Sequence, residues 1–265
     1  MLTWVIALTA ALLAQLLEIA LRPANRARGG VRWPAILALS ALGFMTAAFC
    51  AEILEDEIID ALLPFQVTRM SRYDLDPAII LLTAFVLIDL FQYALHLLMH
   101  KITFLWRIHA IHHSDEKVSA LTGLLHHPAE ALVSYFLILV LGILVGLPMI
   151  ALVIYGFVSA LHNAFVHANL TLPEPLDRIL RAVIVTPSLH RTHHLASARE
   201  GDSNFGQIFS IWDRLFRTSV SDADLSGKLG LLGPERPKSF TALRLMAHPF
   251  ERRLSDWRGG LQSAL

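Results

Sequence analysis

Twelve of the thirteen histidines fall between His96 and His194, at the spacings of metal ligands. Neutral imidazole binds iron, zinc and copper through one ring nitrogen. On a helix, residues three and four apart share a face, so such spacings let one helix aim several nitrogens at one centre. His96 and His100 are four apart. His109, His112 and His113 form H-A-I-H-H, and His190, His193 and His194 repeat the pattern as H-R-T-H-H, each triplet at i, i+3 and i+4. His162 and His167 are five apart, about 140° on a regular helix, which implies a local distortion or two different metals. With His126 and His127 set aside, these ten histidines would give two metals several ligands each.

A solitary histidine at a membrane surface is ordinarily a polar residue near water, and that is the reading for His126 and His248. Two copies of H-x-x-H-H are different, because burying so many imidazoles near a bilayer is costly without a shared purpose. Asp89 lies seven residues before His96, on the face that carries His96 and His100, with Gln92 and Tyr93 nearby. An intramembrane carboxylate is a functional candidate. Orienting a histidine through its free ring nitrogen is the role that fits.

The elements that must position these residues are membrane helices. The chain is 55% hydrophobic and 17% charged, with a mean hydropathy of +0.54, against about 25% charged in soluble domains. The net charge is zero, and nothing in it suggests nucleic acid. The single cysteine, Cys50, excludes a disulfide framework and cysteine-based zinc or iron–sulfur sites, so any metal is held by nitrogen and oxygen. Spans of about 20 apolar residues are expected over Leu2–Leu21, Trp33 to about Leu54, and Pro77–Met99. The first is read as a retained helix rather than a signal peptide, because it lacks a basic start and closes on Glu18. Residues 131–173 hold no Asp, Glu, Lys or Arg, and Gly146-Leu147-Pro148 breaks them. A helical hairpin is expected there, over 131–146 and 148–168, its short arms leaving a re-entrant form open.

Loop charge sets orientation. The first loop carries Arg22, Arg26, Arg28 and Arg32, and the second carries Glu55, Asp56, Glu57, Asp60, Asp74 and Asp76. This places the first loop, and every histidine cluster, at the cytoplasmic face. Residues 175–185 have helical apolar spacing, with Asp177, Arg178 and Arg181 opposite, as in a helix lying in the interface. The expected fold is therefore all-α: a membrane bundle of about four to five spanning helices under a cytosolic, histidine-rich metal-binding cap. Three parts are expected: N-terminal helices over 1–76, a catalytic domain over 77–218, and a cytosolic tail over 219–265.

The segments D-L-F-Q-Y-A-L-H-L-L-M-H (89–100), L-W-R-I-H-A-I-H-H-S-D (105–115), H-P-A-E (127–130), F-V-H-A-N-L (165–170), P-L-D-R-I-L (175–180), T-P-S-L-H-R-T-H-H (186–194), D-S-N-F-G (202–206) and W-D-R-L-F (212–216) follow one another in an order that resembles the fatty acid hydroxylase/sterol desaturase superfamily. The resemblance spans about residues 80–218. It implies two iron ions held by His96, His100, His109, His112, His113, His162, His167, His190, His193 and His194. It also implies O2 as co-substrate and a lipid (sterol, fatty acyl or ether lipid) hydroxylated or desaturated in the membrane, here a bacterial inner membrane. His127 and Asn169 sit in its motifs and are carried over as catalytic candidates beside Asp89. Leu97, Leu125, His126, Leu195 and Arg217 depart from the pattern, Arg217 standing in place of a Gly. The chain shows no glycine fingerprint for a dinucleotide and no haem-attachment motif, so an external electron donor is expected, either a redox protein or a small reductant. Two other readings compete. A zinc hydrolase would use three protein ligands and a water, far fewer than ten histidines. A metal transporter or sensor would place ligands at mid-membrane depth.

Overall fold

The computed structural model describes residues 2–21, 33–68, 70–251 and 257. The basic loop that sets orientation, Arg22 to Arg32, lies outside them. A bilayer offers no water to backbone polar groups, so its spanning segments must satisfy themselves as helices or closed barrels. The apolar runs here are helices: α1 (Leu2–Leu21), α2 (Trp33–Leu62), α3 (Pro77–Lys101), α5 (Pro128–Val145) and α6 (Met149–His167). Between and after them lie the short helices α4 (Thr103–His109), α7 (Glu174–Leu180), α8 (Pro187–His193), α9 (Ala198–Gly201), α10 (Ile211–Leu215) and α11 (Ala242–Ala247). Among the described residues the only β pairings are two isolated bridges, Ile184 with Phe209 and Leu195 with Leu229. Among the described residues four helices are long and apolar enough to cross a membrane: α2 with its 3-10 extension to Phe65, α3, α5 and α6. The twenty residues of α1 reach about 30 Å, also the length of a span. The all-α membrane bundle expected from the sequence is the fold observed.

Local chemistry sets the helix ends. Asp76 caps α3 by accepting from Ala78 N at 2.7 Å, with Pro77 at the first helical position. The hairpin turns where expected. Gly146 adopts φ 67°, its N–H meets Ile143 O at 3.1 Å, and Leu147 N meets Gly142 O at 2.9 Å. These two bonds close a Schellman motif, which favours glycine at its left-handed position. Gln66 and Val67 sit against this turn, with Val67 N on Leu144 O and Gln66 Nε2 on Ile143 O, both at 2.8 Å. The histidine-bearing ends of α3 and α6 therefore lie at the other end of the bundle. In the packing, α1 lies on α6, α2 on α5, and α3 on α4 and α6.

Two expectations need correction. Helix α2 runs on to Leu62, so Glu55, Asp56, Glu57 and Asp60 lie on two helical turns beyond the apolar window and not in a loop. The amphipathic helix expected over 175–185 is α7 alone. After it the chain turns and Ile184 bridges Phe209, with Val185 N donating to Ile208 O at 2.8 Å. Asp177 does not face solvent: it is buried and accepts from Ser188 Oγ at 2.8–2.9 Å. The described part of the C-terminal region packs on the rest of the chain. Leu245 enters the core beside Ile36 and Leu39 of α2, and Trp257 packs on Trp106 and Leu231.

Candidate metal centre

Helix α3 delivers His96 and His100 one turn apart at its end. The chain then breaks helix at Ala110 and re-forms as a 3-10 turn, His112–Ser114. Because of that break the first triplet does not act as one face. Nor does the second, where His190 and His193 lie on α8 and His194 is its C-cap. Nine of the histidines sort into two groups, each with its ring nitrogens within 4.8 Å of one another, and a smaller set, His109, His126 and Glu130, meets the same limit. The first holds His96, His100, His109, His113 and His193. The second holds His112, His167, His190 and His194. Each triplet serves both groups in a reciprocal way. The first gives its i, i+4 pair (His109, His113) to the first group and its middle histidine (His112) to the second. The second gives its i, i+4 pair (His190, His194) to the second group and its middle histidine (His193) to the first.

Hydrogen bonds fix which nitrogen is free. In the first group, Nδ1 of His96 lies 2.9 Å from Phe205 O, that of His109 2.8 Å from Glu130 Oε1, and that of His193 2.6 Å from Ser203 O. An Nδ1–H donated outward leaves Nε2 with a bare lone pair. Nε2 of all five members is buried and has no hydrogen-bond partner. Opposite ligands at about 2.0–2.1 Å from one ion lie about 4 Å apart, which is the scale of this group. In the second group, His112 Nδ1 faces Leu125 O at 3.2 Å and His167 Nδ1 faces Asn163 O at 2.9 Å. Both Nε2 atoms are therefore bare, yet they stand 3.1 Å apart. Two lone pairs at that distance repel unless a cation lies between them. His190 Nε2 is 2.8 Å from His167 Nε2 and 3.2 Å from His194 Nε2, so the crowding extends through the group. Burial, aided by neighbouring imidazoles, holds His112, His113, His190 and His194 well below the usual imidazole pKa. Burial takes His193 down to about 3. All five rings are therefore neutral at pH 7, the form in which an imidazole can bind a metal.

Two of the three acceptors of the first group, Ser203 O and Phe205 O, sit on one loop, 203–206, and two carboxylates pin it and the residues that follow. Asp213 Oδ1 and Oδ2 accept from Phe205 N at 2.7 Å and Gly206 N at 2.9 Å. Asp89 accepts from Ile208 N and Phe209 N at 3.0 Å, and from Trp212 Nε1 and Tyr155 Oη at 2.8 Å. Asp89 makes no hydrogen bond to a histidine: its partners lie at residues 208–212, just after the acceptor loop, and at Tyr155. His127 joins neither group: Nδ1 caps α5 by accepting from Ala129 N at 3.1 Å, and Nε2 donates to Met246 O at 3.1 Å. Asn169 also joins neither and accepts from Arg191, the residue after His190. His162 is left out of both groups, with a buried and unpartnered Nε2 beside Phe165.

Sequence reasoning missed Glu130. It is 5% exposed, and its Oε1 takes the Nδ1 protons of both His109 (2.8 Å) and His126 (2.9 Å). His126 is thereby no bystander. Its Nε2 lies 3.2 Å from Gly123 O and its ring stacks on His112 at 4.6 Å. Burial lowers its pKa, but the Glu130 carboxylate outweighs this and the net shift is upward. The i, i+4 spacing of His126 and Glu130 was the available signal.

A cavity of about 450 Å³ reaches both groups. His96 and His109 of the first and His112, His167 and His190 of the second line it, and it continues between Leu39, Phe44, Leu95 and Val166. Helices α1 and α2 contribute Ala7 and Gly43, although the resemblance in the sequence begins only at about residue 80. A separate recess of about 90 Å³ touches the first group through His100 and His113. It shares no lining residue with the cavity.

The family model for fatty acid hydroxylase matches residues 81–218, the stretch that carries all nine clustered histidines. The chain belongs to the fatty acid hydroxylase family. Among its relatives, the ornithine lipid hydroxylase OlsE of Rhizobium tropici is 32% identical over 169 residues, 61% of this chain and 47% of that protein. The alkylglycerol monooxygenase of Danio rerio is 30% identical over 142 residues, 53% of this chain and 30% of that protein. A very-long-chain aldehyde decarbonylase, GL1-4 of Oryza sativa subsp. indica, is 26% identical over 200 residues, 69% of this chain and 30% of that protein. The matches thus span half or less of each relative's length. No solved structure matches the chain.

Proposed function

We propose that this protein is a membrane-bound oxygenase that hydroxylates or desaturates a lipid, with two iron ions as its cofactor and O2 as co-substrate. His96, His100, His109, His113 and His193 would hold one ion, and His112, His167, His190 and His194 the other. The observation that carries the reading is the bare, buried Nε2 set: five unpartnered nitrogens in one group and facing lone pairs at 3.1 Å in the other. A catalytic zinc site keeps three protein ligands and an open position, so groups of five and four argue against the zinc hydrolase. Bound iron would supply activation of O2 and removal of hydrogen from an unactivated C–H bond.

The protein's own part is positional. The Nδ1 acceptors Phe205 O, Ser203 O, Glu130, Leu125 O and Asn163 O hold the rings in one tautomer, which raises ligand basicity and fixes direction. The cavity admits an apolar chain from between α2, α3 and α6 and brings it against both groups, excluding water from the reacting carbon. Electrons come from an external donor, and the recess beside His100 and His113 gives it a route that does not cross the lipid cavity. The membrane would be a bacterial inner membrane, and the arginine-rich first loop supports a metal face on its cytoplasmic side. Metal analysis of protein made in iron-rich medium, combined with comparative lipidomics of cells with and without the gene, tests the reading. One lipid class gaining an oxygen atom or losing two hydrogens supports it. Full activity in His112→Ala and His193→Ala protein rejects it.

A further inference from the structure

His126 belongs to neither of the two large histidine groups, yet it touches the support of one and a member of the other. Its Nδ1 lies 2.9 Å from Glu130 Oε1, the oxygen that also receives Nδ1–H of His109 in the first group at 2.8 Å. Its ring lies on that of His112 in the second group, with centroids 4.6 Å apart and planes 6° from parallel. His112 needs this second contact. Its outward hydrogen bond, Nδ1 to Leu125 O, is at the long end of the range at 3.2 Å and fixes one direction only, so the ring is free to swing about that axis. A ring stacked on its face removes that freedom. The stacking ring is itself seated at its far nitrogen. Nε2 of His126 lies 3.2 Å from Gly123 O, and Asn163 Nδ2 donates to the same carbonyl at 2.7 Å. Residue 123 has no room for a side chain: a Cβ there would stand 2.7 Å from Asn163 Nδ2 and 3.0 Å from His167 Nδ1.

Building on the two-metal reading, we propose that His126 is a positioning residue shared by the two groups. One ring acts in two ways: its Nδ1–H holds the carboxylate that orients His109, and its face holds the plane of His112. The other supports divide between the groups. Ser203 O and Phe205 O serve the first alone, and Leu125 O and Asn163 O serve the second alone.

The two actions are separable by substitution. The side chain of His126 is 35% exposed on the wall of the lipid cavity, so replacements fit there without displacing the core. His126→Phe keeps a ring against His112 and removes the N–H on Glu130. His126→Asn places an amide N–H where Nδ1 stands and removes the ring. His126→Ala removes both. The test challenges the iron-loaded, detergent-purified proteins with a chelator and follows release from each group. The phases are assigned with His112→Ala, which keeps the first group, and His193→Ala, which keeps the second. Release should quicken by about 10-fold from the first group alone in His126→Phe, from the second alone in His126→Asn, and from both in His126→Ala. The proposal is overturned if the Phe and Asn variants loosen the same group, or neither. A merely structural role would quicken both phases in every variant, in step with a lower melting temperature of the metal-free protein, and that result overturns it too. The Phe and Asn variants are read against each other, so misfolding of His126→Ala decides nothing. Wild-type protein that does not hold two irons rejects the two-metal reading and this proposal with it. Two irons in wild type, with release unchanged in the variants, rejects the proposal alone.

Discussion

The two histidine groups are built from the same triplets but are held differently. In the first, three of five rings donate Nδ1–H to fixed acceptors, and a fourth, His100, lies 4.0 Å from Asp202. In the second, only His112 and His167 are fixed in this way, while Nδ1 of His190 and of His194 has no partner. The first group also draws on an acceptor loop that Asp213 clamps through Phe205 N and Gly206 N, and whose continuation Asp89 holds through Ile208 N and Phe209 N. The second takes its acceptors from Leu125 O and Asn163 O. Outer hydrogen bonds to ligating histidines commonly change metal affinity by about 10–100-fold. The first group should therefore be the tighter site, and the second the more exchangeable.

Removing a ligand from each group is the strongest way to test that difference. On the oxygenase reading, His193→Ala and His112→Ala should each reduce oxidation of the lipid by at least about 100-fold. Iron content should fall toward one ion per chain in both, with the remaining ion harder to chelate in His112→Ala than in His193→Ala. Equal chelation rates would mean that the groups do not differ in hold.

A smaller change acts on the first group alone. Asp213→Asn keeps the volume but removes one of the two acceptor oxygens that hold Phe205 N and Gly206 N. Iron affinity at the first group should fall by about 10-fold, and that of the second should not change. Two-phase chelator kinetics on the variant measure both; slowing or loss in the second phase alone would reverse the assignment.

Acid should affect both groups together, because burial is common to them. The folded-state pKa values of His112, His113, His190, His193 and His194 are all lowered, that of His193 to about 3. Their neutral forms therefore contribute stability that is fully present above the unfolded pKa of about 6.5 and lost as pH falls from there toward the folded values. Metal-free protein should melt at progressively lower temperature between pH 7 and pH 4, and the metal-loaded protein should begin this decline at lower pH. A flat melting temperature across that range would mean the rings are solvated rather than buried.

The spans, the hairpin and the histidine spacings were legible because they depend on local periodicity. Gly146 marks its own turn, and apolar length marks a span. The partition of the histidines was not legible, since i, i+3 and i+4 share a face only while the helix continues, and here it breaks at Ala110. Asp89 shows the same limit. Its register with His96 was correct, but the carboxylate is taken up by four donors, three of them from residues 208–212, and no spacing within α3 could reveal a partner about 120 residues away. Glu130 was hidden because its histidine partners come from two segments, only one of them local.

The smallest expected effect concerns the support of the first group. Helix α10 ends in a Schellman motif like that of α5, with Thr218 N on Asp213 O at 2.7 Å and Arg217 N on Arg214 O at 3.4 Å. Its left-handed position is Arg217, at φ 61°, where the corresponding position after α5 is a glycine. An L-residue there costs about 1–2 kcal/mol, and glycine returns part of that gain as greater entropy of the unfolded chain, about 0.4–1 kcal/mol. Arg217→Gly should therefore stabilise the protein by up to about 1 kcal/mol, read as a raised denaturant midpoint at unchanged slope. Because the motif positions Asp213, and Asp213 holds the loop beneath His96 and His193, the gain should appear as slower iron release from the first group and leave the second as it was. Stabilisation without that slowing would separate the helix end from the metal group it is argued to support.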